Sequence, residues 1–345
     1  MRVLLTGHDG YIGAVMSQIL LDRGHDVVGL DSGLFEECRF GDGPRAIPAL
    51  RKDVRDVSPS DLEGIEAVVH LAAISNDPLG NLNPQCTYDI NHRASIHLAR
   101  LAREAGVSRY VYSSSCSVYG AASPDDILTE EAAFSPVTPY AESKVMVEAE
   151  LSGLASDGFS PTSMRNATVY GVSPRLRGDL VVNNLVGWAF TTGQVHLKSD
   201  GTPWRPLVHV EDLCLAFACV LDAERDRVHD QAFNVGRNEE NYRIREVAEI
   251  VEKAVEGSAL TFEPGAGPDP RCYRVDFSKI RRTLPEFDPQ WTVPRGVDQL
   301  LAAYREIGLS QEDLEGDRYL RIKHISRLLE EGRIDSDLRW VGAAG

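Results

Sequence analysis

The sequence has no long hydrophobic run and is poor in positive charge. No apolar stretch among its 345 residues approaches the roughly 18 residues that a membrane-spanning helix needs, so no membrane association is expected. Lys and Arg total 36 against 52 Asp and Glu, which gives a formal net charge of -16. Because such an acidic chain is repelled by phosphate backbones, nucleic acid is not expected as a partner.

Closely spaced cysteine pairs are missing as well. The six cysteines are scattered and include no C-x-x-C pair: Cys38, Cys86, Cys116, Cys214, Cys219 and Cys272. They are therefore interpreted as reduced thiols, and no metal site is expected. The chain starts with Met1 and Arg2 directly before an apolar run, without the layout of a signal peptide, so we expect a cytoplasmic protein.

Strand-like and helix-like segments alternate through the first third of the chain. Short apolar runs occupy residues 3–5, 27–30, 67–71 and 110–112, and helical periodicity occupies residues 12–22 and 92–105. This alternation is typical of βαβ units. It predicts an α/β fold of the Rossmann type, with a doubly wound parallel sheet covered by helices on both faces.

Prolines and loops become more frequent after about residue 170, which indicates a second, smaller lobe. Helices are predicted at 181–191, 245–255 and 297–307, and the run 232–236 predicts a buried strand that could return to the first sheet. We expect a cofactor-binding domain at 1–170 plus about 206–237, and a substrate-binding lobe with a C-terminal helical extension at 171–205 and 238–345. An amphipathic stretch near 320–329 is expected to pack on the protein itself.

A glycine-rich turn connects the first predicted strand to the first predicted helix. Gly7, Gly10 and Gly13 would let backbone amides, and the positive end of the helix dipole, approach a pyrophosphate. Asp31 ends the second predicted strand, where a carboxylate can accept hydrogen bonds from ribose hydroxyls and would repel a 2'-phosphate. The turn contains no Arg or Lys. The sequence therefore predicts NAD, rather than NADP, as the cofactor.

Tyr140 and Lys144 form a Y-x-x-x-K motif downstream of the serine cluster 113–115. Pro139 predicts a helix start, so both side chains project from one helix face. Lowering a tyrosine pKa from about 10 to about 7 requires ~4 kcal/mol of preference for the phenolate. An ammonium about 4 Å away supplies that much at an effective dielectric constant near 20. A serine hydroxyl could hold the substrate oxygen, and the motif thus predicts proton transfer coupled to hydride transfer.

In combination these motifs resemble the extended short-chain dehydrogenase/reductase family, and within it the NAD-dependent nucleotide-sugar epimerases and dehydratases. The resemblance runs from residue 3 to about residue 279 and includes the pair Tyr119-Gly120 and the segments 205–212 and 273–279. It implies that Ser115, Tyr140 and Lys144 are catalytic. It also implies a homodimer formed through the helices near 92–105 and 140–156.

The resemblance further implies which residues bind the cofactor and the substrate. The implied NAD-binding residues are Gly7, Gly10, Tyr11, Ile12, Gly13, Asp31, Asp53, Val54, Leu71, Ala72, Ala73, Asn91, Ser113, Tyr140 and Lys144. The implied substrate-binding residues are Ser115, Asn166, Thr168, Asn183, Arg205, Arg271 and Tyr273. Within the second set, the two arginines and the tyrosine are expected to hold the diphosphate and base of a nucleotide-diphosphate sugar, since the planar guanidinium group pairs well with phosphate.

Two positions after the catalytic hydroxyl depart from part of the family. Dehydratases carry an Asp-Glu pair there, because elimination of water needs an additional acid and base, and decarboxylases tend to have a glutamate at the second position. This chain has Cys116 and Ser117. Dehydration and decarboxylation are therefore disfavoured.

Positions in the middle of the chain leave alternatives open. Thr168 stands where relatives usually have an asparagine that contacts the diphosphate, and Asn166 or the pair at 183–184 could compensate. Arg175 and Arg177 could contact phosphate or belong to an exposed loop, and we favour the loop.

The leading hypothesis is an NAD-dependent nucleotide-sugar epimerase, of the 4-epimerase type, that acts through a transient keto-sugar. The first alternative is an NAD(H)-dependent nucleotide-sugar ketoreductase or dehydrogenase that uses the same residues with net oxidation or reduction. The second is a non-catalytic NAD-sensing protein. The presence of both Tyr140 and Lys144 counts against the second alternative.

Overall fold

The computed structural model describes residues 1–75, 77–120, 123, 126–265, 267 and 271–342. Its strands are β1 (Arg2–Thr6), β2 (Asp26–Asp31), β3 (Ala49–Arg51), β4 (Ala67–His70), β5 (Arg109–Ser115), β6 (Ile127–Leu128), β7 (Ser160–Asn166), β8 (Thr168–Tyr170), β9 (Gln194–Leu197), β10 (Trp204–His209), β11 (Gln231–Val235), β12 (Asn241–Arg243), β13 (Ala259–Phe262) and β14 (Arg274–Val275).

The α-helices are α1 (Gly13–Asp22), α2 (Asp77–Leu82), α3 (Pro84–Tyr88), α4 (Ala94–Glu104), α5 (Pro139–Leu154), α6 (Val181–Thr192), α7 (Val210–Asp222), α8 (Arg225–Val228), α9 (Ile244–Ala254), α10 (Ser278–Thr283), α11 (Val293–Ile307), α12 (Gln311–Glu315) and α13 (Arg321–Glu330). A π-helical turn at Asp89–Arg93 precedes α4. Within the described residues, no helix has the length and apolar character needed to cross a bilayer.

A seven-stranded sheet in the order β11-β7-β5-β4-β1-β2-β3 forms the centre of the fold. Every pairing in it is parallel. Because the carboxyl ends of parallel strands lie at one edge, the residues that follow β1, β2, β4 and β5 meet there. The predicted α/β fold of the Rossmann type is confirmed, including the return of the strand at 231–235 to the first sheet.

Helices cover both faces of this sheet. On one face, α1 and α7 pack with the sheet in a core that includes Leu5, Leu20 and Phe217. On the other face, α4 and α5 pack with α13 in a core that includes Leu98 and Ile325. The predicted packing of the amphipathic C-terminal stretch on the protein itself is confirmed. A third core, formed by α6, α9 and α11, belongs to the second half of the chain.

Local sequence signals explain where α5 begins. Pro139 occupies its first turn, and the Thr138 hydroxyl accepts a hydrogen bond from the Ala141 amide at 3.2 Å. Proline fits this position because its missing N–H would have no partner inside the helix, and the threonine satisfies one of the other unpaired amides. The start of α5 places Tyr140 and Lys144 in its first two turns, next to the end of β5.

Candidate active site

The glycine turn between β1 and α1 is too tight for side chains. Gly7 has a φ of +71°, and a Cβ atom on it would lie 2.8 Å from the Ala72 amide nitrogen. A Cβ atom on Gly13 would lie 2.0 Å from the Gly7 carbonyl oxygen. The turn therefore keeps backbone amides accessible at the start of a ten-residue helix, as an anionic phosphate group requires.

Asp31 is held at the end of β2 by two backbone amides. Its Oδ1 accepts a hydrogen bond from the Gly33 amide at 2.8 Å, and its Oδ2 accepts one from the Asp9 amide at 3.1 Å. Burial raises the pKa of the carboxyl group, and these two hydrogen bonds partly oppose that shift. Each oxygen retains a second lone pair, so the side chain can also accept hydrogen bonds from a ribose.

Val54 begins a 3-10 turn shortly after β3, and Asp53 is the residue before that turn. The Asp53 carboxylate caps this turn and pairs with Arg55, whose Nη2 lies 2.6 Å from Oδ2. This pairing lowers the pKa of Asp53 against the opposing effect of burial. Val54 is buried. The carboxylate is thus already engaged, and the turn offers mainly an ordered apolar edge.

The residues after β4 lie against the glycine turn. The Leu71 amide donates to the Thr6 carbonyl at 3.2 Å, and Leu71, Ala72 and Ala73 all stay partly exposed. The buried Asn91 side chain bonds both the amide and the carbonyl of Ile74, at 2.7 and 3.0 Å. Its amide group is therefore used to fix the loop that follows β4, so it positions that loop.

A buried hydrogen-bond chain links β1 to α4. The Ala72 amide donates to Thr6 Oγ1, which lies 2.7 Å from His70 Nδ1. His70 Nε2 lies 2.7 Å from Ser95 Oγ, whose hydrogen is donated to the Asn91 carbonyl. These directions require the neutral tautomer with hydrogen on Nε2. Burial lowers the pKa of His70 to about 3, and the charge of Lys144 contributes.

This neutral histidine predicts a loss of stability in acid. The unfolded chain binds a proton at His70 below pH of about 6.5, whereas the folded chain does so only near pH 3, so stability falls as the pH drops through this window. The contribution between pH 6.5 and 5 is about 1.5 kcal/mol. In urea unfolding at these two pH values, His70→Gln should lose less stability than wild type, and the exposed His97→Gln variant should match wild type. Equal slopes for wild type and His70→Gln would contradict this assignment.

The serine cluster ends β5 and faces three different environments. Ser113 Oγ accepts a hydrogen bond from Asn166 Nδ2 at 2.9 Å, and Ser114 Oγ donates to the Glu148 carboxylate. Ser115 is partly exposed, and its Oγ accepts from the Ser117 amide at 3.1 Å. Since that bond uses only a lone pair, Ser115 can still donate its hydroxyl hydrogen to a substrate oxygen.

Lys144 lies beneath Tyr140. Its Nζ donates a hydrogen bond to the Ser113 carbonyl at 2.6 Å. The same nitrogen lies 4.8 Å from the centroid of the Tyr112 ring and 5.5 Å from the centroid of the Tyr140 ring. Burial lowers the pKa of Lys144 to about 7, although the Glu148 carboxylate acts in the opposite direction. The ammonium expected from the sequence is ordinary and fully charged, whereas burial in the structure brings the pKa of Lys144 much closer to neutrality.

A buried ion pair between α5 and β7 lies close enough to Lys144 to act on its charge. Glu148, one turn after Lys144 in α5, pairs with Arg165 of β7 at 2.8 Å, and each side chain is only 7% exposed. Arg165 Nη1 also donates to the Tyr119 hydroxyl at 3.1 Å. No sequence signal marks either partner, because β7 has a polar sequence and the spacing of Glu148 from Lys144 becomes meaningful only once α5 packs against β7.

The implied substrate residues occupy two kinds of position. Arg205, Arg271 and Tyr273 lie together: the Arg205 guanidinium carbon is 5.4 Å from the centroid of the Tyr273 ring, and Arg205 donates to the Arg271 carbonyl. Burial raises the pKa of Tyr273 to about 12, and its interactions include Tyr140. Thr168 is partly exposed at the start of β8. Of these four residues, Tyr273 is the one with an electrostatic interaction that reaches Tyr140.

The two implied asparagines differ in their hydrogen bonding. Asn183 is fully buried, and its amide group bonds the Gly171 amide at 2.9 Å and the Arg177 carbonyl at 3.0 Å. It therefore holds the chain after β8. The amide oxygen of Asn166, by contrast, is buried without a hydrogen-bond partner among the described residues. Among the described residues, that oxygen is therefore an acceptor without a donor.

The interpretation of Arg175 and Arg177 as exposed loop residues is wrong, because both are buried. Arg175 Nε donates to the Asp9 carbonyl at 3.2 Å and the guanidinium also pairs with the Asp9 carboxylate. Arg177 pairs with Asp179 at 2.8 Å and interacts with Tyr140 and Tyr11. Sequence analysis could not foresee this, because the loop that carries both arginines is covered by other parts of the chain.

Tyr11 and Ile12 are the two residues between Gly10 and Gly13 in the glycine turn. The buried Tyr11 hydroxyl donates to the Gly171 carbonyl at 2.8 Å, and its pKa is raised by burial. Ile12 is partly buried against the core. The Tyr11 side chain thus joins the turn to the chain after β8, which leaves its backbone to face a cofactor.

Comparisons with known proteins agree with this geometry. The sequence profile of the NAD dependent epimerase/dehydratase family matches residues 3–236, and the chain belongs to this family. A UDP-glucose 4-epimerase of Lactobacillus helveticus is 31% identical over 306 residues, which cover 82% of this chain and 91% of that protein. UDP-glucuronic acid decarboxylase 1 of Arabidopsis thaliana is 25% identical over 334 residues, covering 92% of this chain and 72% of that protein.

Solved structures show the same fold with NAD. The crystal structure of DesIV, a dTDP-glucose 4,6-dehydratase from Streptomyces venezuelae with NAD bound, superposes with a TM-score of 0.78 at 26% identity. The alignment covers 91% of this chain and all of that one. The protein is thus an NAD-dependent enzyme of the extended short-chain dehydrogenase/reductase type. The predicted cofactor is confirmed, and the glycine turn and Asp31 are the features that fit it.

Proposed function

We propose that this protein is a nucleotide-sugar epimerase of the 4-epimerase type, acting through a transient keto-sugar. The observation that carries this choice within the family is Cys116, which follows Ser115 where an elimination would need an acid. Burial raises the pKa of the Cys116 thiol well above its usual value, and its S–H donates to the Arg165 carbonyl at 3.1 Å. A thiol whose pKa is raised and whose hydrogen is donated to a backbone carbonyl is a much weaker acid than the carboxyl groups expected at this place in a dehydratase.

The proposed reaction needs one residue that accepts and returns a proton and one residue that donates a hydrogen bond to the reacting oxygen. The glycine turn and Asp31 would hold NAD, which would supply a reversible hydride acceptor for the carbinol carbon, so that hydride could return to the other face of the ketone. Tyr140, as the phenolate, takes the hydroxyl proton and later gives it back. Lys144, in its protonated form, stabilises the phenolate, and Ser115 donates a hydrogen bond to the reacting oxygen. The positions of the three side chains, at the end of β5 and the start of α5, support these roles.

We further propose that the substrate's nucleotide diphosphate lies against the second half of the chain. Arg205 and Arg271 supply positive charge in an otherwise acidic protein, Tyr273 packs against Arg205, and Asn166 offers its unpaired oxygen. The division of the chain at about residue 170, into a cofactor-binding domain and a substrate-binding lobe, belongs to the same proposal.

We also propose a homodimer that forms through α4 and α5. Sedimentation that shows only a single-chain species at micromolar concentration would contradict this homodimer.

The test is conversion of UDP- and dTDP-sugars by purified protein without added nicotinamide, in D2O and followed by NMR. A 4-epimerase should convert a sugar nucleotide to its C4 epimer without deuterium at C4, because the hydride never exchanges with water. Dehydration would instead incorporate solvent deuterium and give a stable keto-sugar. Decarboxylation would release carbon dioxide.

The same samples separate the epimerase from a ketoreductase. We expect product to form many times over from the NAD that remains on the purified protein, with no net change in NADH. NADH consumed in proportion to product would reject the epimerase in favour of the ketoreductase. Epimerisation at another carbon would retain the class of reaction and reject the C4 assignment.

A further inference from the structure

The C-terminal segment from residue 311 to residue 342, here called the strap, runs back across the cofactor domain. Its helix α13 buries Ile325 and Leu328 in the core beneath α4 and α5. Its last part is a hairpin closed by a bridge between Ile334 and Trp340. The Asp335 carboxylate fixes the hairpin turn by accepting hydrogen bonds from two backbone amides. The strap is therefore an ordered segment, held by the packing of α13 and by the hydrogen bonds of its hairpin.

The strap holds the loop that follows Asp31. Trp340 Nε1 donates to the Ser32 carbonyl at 2.7 Å, and His324 Nε2 lies 2.8 Å from the Leu34 carbonyl. Because Asp31 Oδ1 is fixed by the Gly33 amide, an ordered backbone at Ser32 and Gly33 keeps the carboxylate in place. Trp340 thus acts one residue away from the side chain expected to meet the adenosine ribose.

Ion pairs extend this hold along the same loop. Arg327 and Arg333 of the strap pair with Glu37, at 2.6 and 2.8 Å. Both hydrogen bonds lower the pKa of Glu37 to about 2. Ion pairs as exposed as these stabilise a structure only slightly when taken singly. The contact made by the Trp340 indole removes a larger area from water and therefore contributes more to holding the loop in place.

The strap also holds the second loop at this end of the site. Arg339 pairs at 2.6 Å with Asp56, the last residue of the 3-10 turn that begins at Val54 and is capped by Asp53. The Arg51 guanidinium, at the end of β3, lies 5.6 Å from the centroid of the Trp340 ring. Two adjacent strap residues are therefore attached to two different loops, one next to Asp31 and one next to Asp53 and Val54, which are residues expected to contact the adenosine end of NAD.

We propose that the strap forms the outer wall of the adenosine subsite and keeps NAD from leaving between turnovers. Release of the adenosine end requires the 32–37 loop and the 53–56 turn to move, and the strap ties both to one hairpin. The proposal rests on NAD as the cofactor and is independent of which sugar reaction the enzyme catalyses. Trp340 and Arg339 are positioning residues in this account.

The test measures NAD retention directly. Holoenzyme is mixed with excess isotope-labelled NAD, and exchange is followed by mass spectrometry of the nucleotide released on denaturation. Trp340→Ala should exchange about tenfold faster than wild type, the equivalent of one lost hydrogen bond and its packing. Arg339→Ala should show a smaller increase, and Trp340→Phe, which keeps a ring but no N–H, an intermediate one.

Two matched variants serve as controls. Val341 is next to Trp340 and exposed, and Lys323 is an exposed cation of α13 whose Nζ donates to the Glu315 carbonyl, within the strap. Val341→Ala and Lys323→Ala should exchange NAD at the wild-type rate. Unchanged exchange in both Trp340 variants would overturn the proposal, and so would a loss of thermal stability in the NAD-free protein without faster exchange. A failure to find epimerase activity would leave this result untouched.

Discussion

Replacement of Tyr140 by phenylalanine is expected to lower kcat by a factor of about 10²–10⁴, the usual contribution of a positioned acid/base group. The side chain is partly exposed in the first turn of α5, so loss of its hydroxyl should cost the fold little. Lys144 keeps its bond to the Ser113 carbonyl in the variant. The change should therefore act on the chemical step and leave bound NAD in place.

Turnover and NAD content of the same preparation form the measurement. Tyr88→Phe is the matched control, because Tyr88 also hydrogen-bonds a residue of α5, Glu142, but at the exposed surface. It should retain wild-type kcat. A Tyr140→Phe enzyme with more than about a tenth of wild-type kcat would remove Tyr140 from the mechanism. Full activity would show that the motif formed by Tyr140 and Lys144 does no chemistry here.

The regions that sequence analysis placed correctly have signals confined to a few neighbouring residues. The apolar run before Gly7 predicts β1, and the glycine spacing predicts the turn, since a Cβ atom at Gly13 would collide with the turn's own backbone. The pattern from Pro139 to Lys144 predicts the start of α5 and its exposed face. Each of these features depends on local sterics or periodicity, which a single sequence carries.

Other features depend on contacts between distant segments, and the sequence could not reveal them. The strand β7 is buried throughout, yet most of its residues are polar, so no hydrophobic pattern marks it. Arg177 has the composition of an exposed loop residue and is instead buried beside Tyr140. The pKa of Lys144 near 7 arises because β5 covers the ammonium, and residue spacing on α5 contains no information about that cover.

Arg165→Met is expected to destabilise the protein by about 3–5 kcal/mol, because it leaves the Glu148 carboxylate buried without its cation. The pair lies between α5 and β7, with each side chain 7% exposed. Urea unfolding measures the loss. Glu150→Gln, also on α5 but in an exposed pair with His92 and Arg100, should change stability by less than about 0.5 kcal/mol.

The double variant Glu148→Leu/Arg165→Met separates the two functions of the pair. Removing both charges should recover much of the stability that either single change loses, since neither charge is then stranded. It should not restore the wild-type pH profile. Glu148 raises the pKa of Lys144, so without it the ammonium loses its proton at a lower pH, and the alkaline limb of kcat should move in the acid direction. Recovery of stability together with an unshifted alkaline limb would show that Glu148 supports only the fold, and that Lys144 does not control the ionisation of Tyr140 in the way proposed.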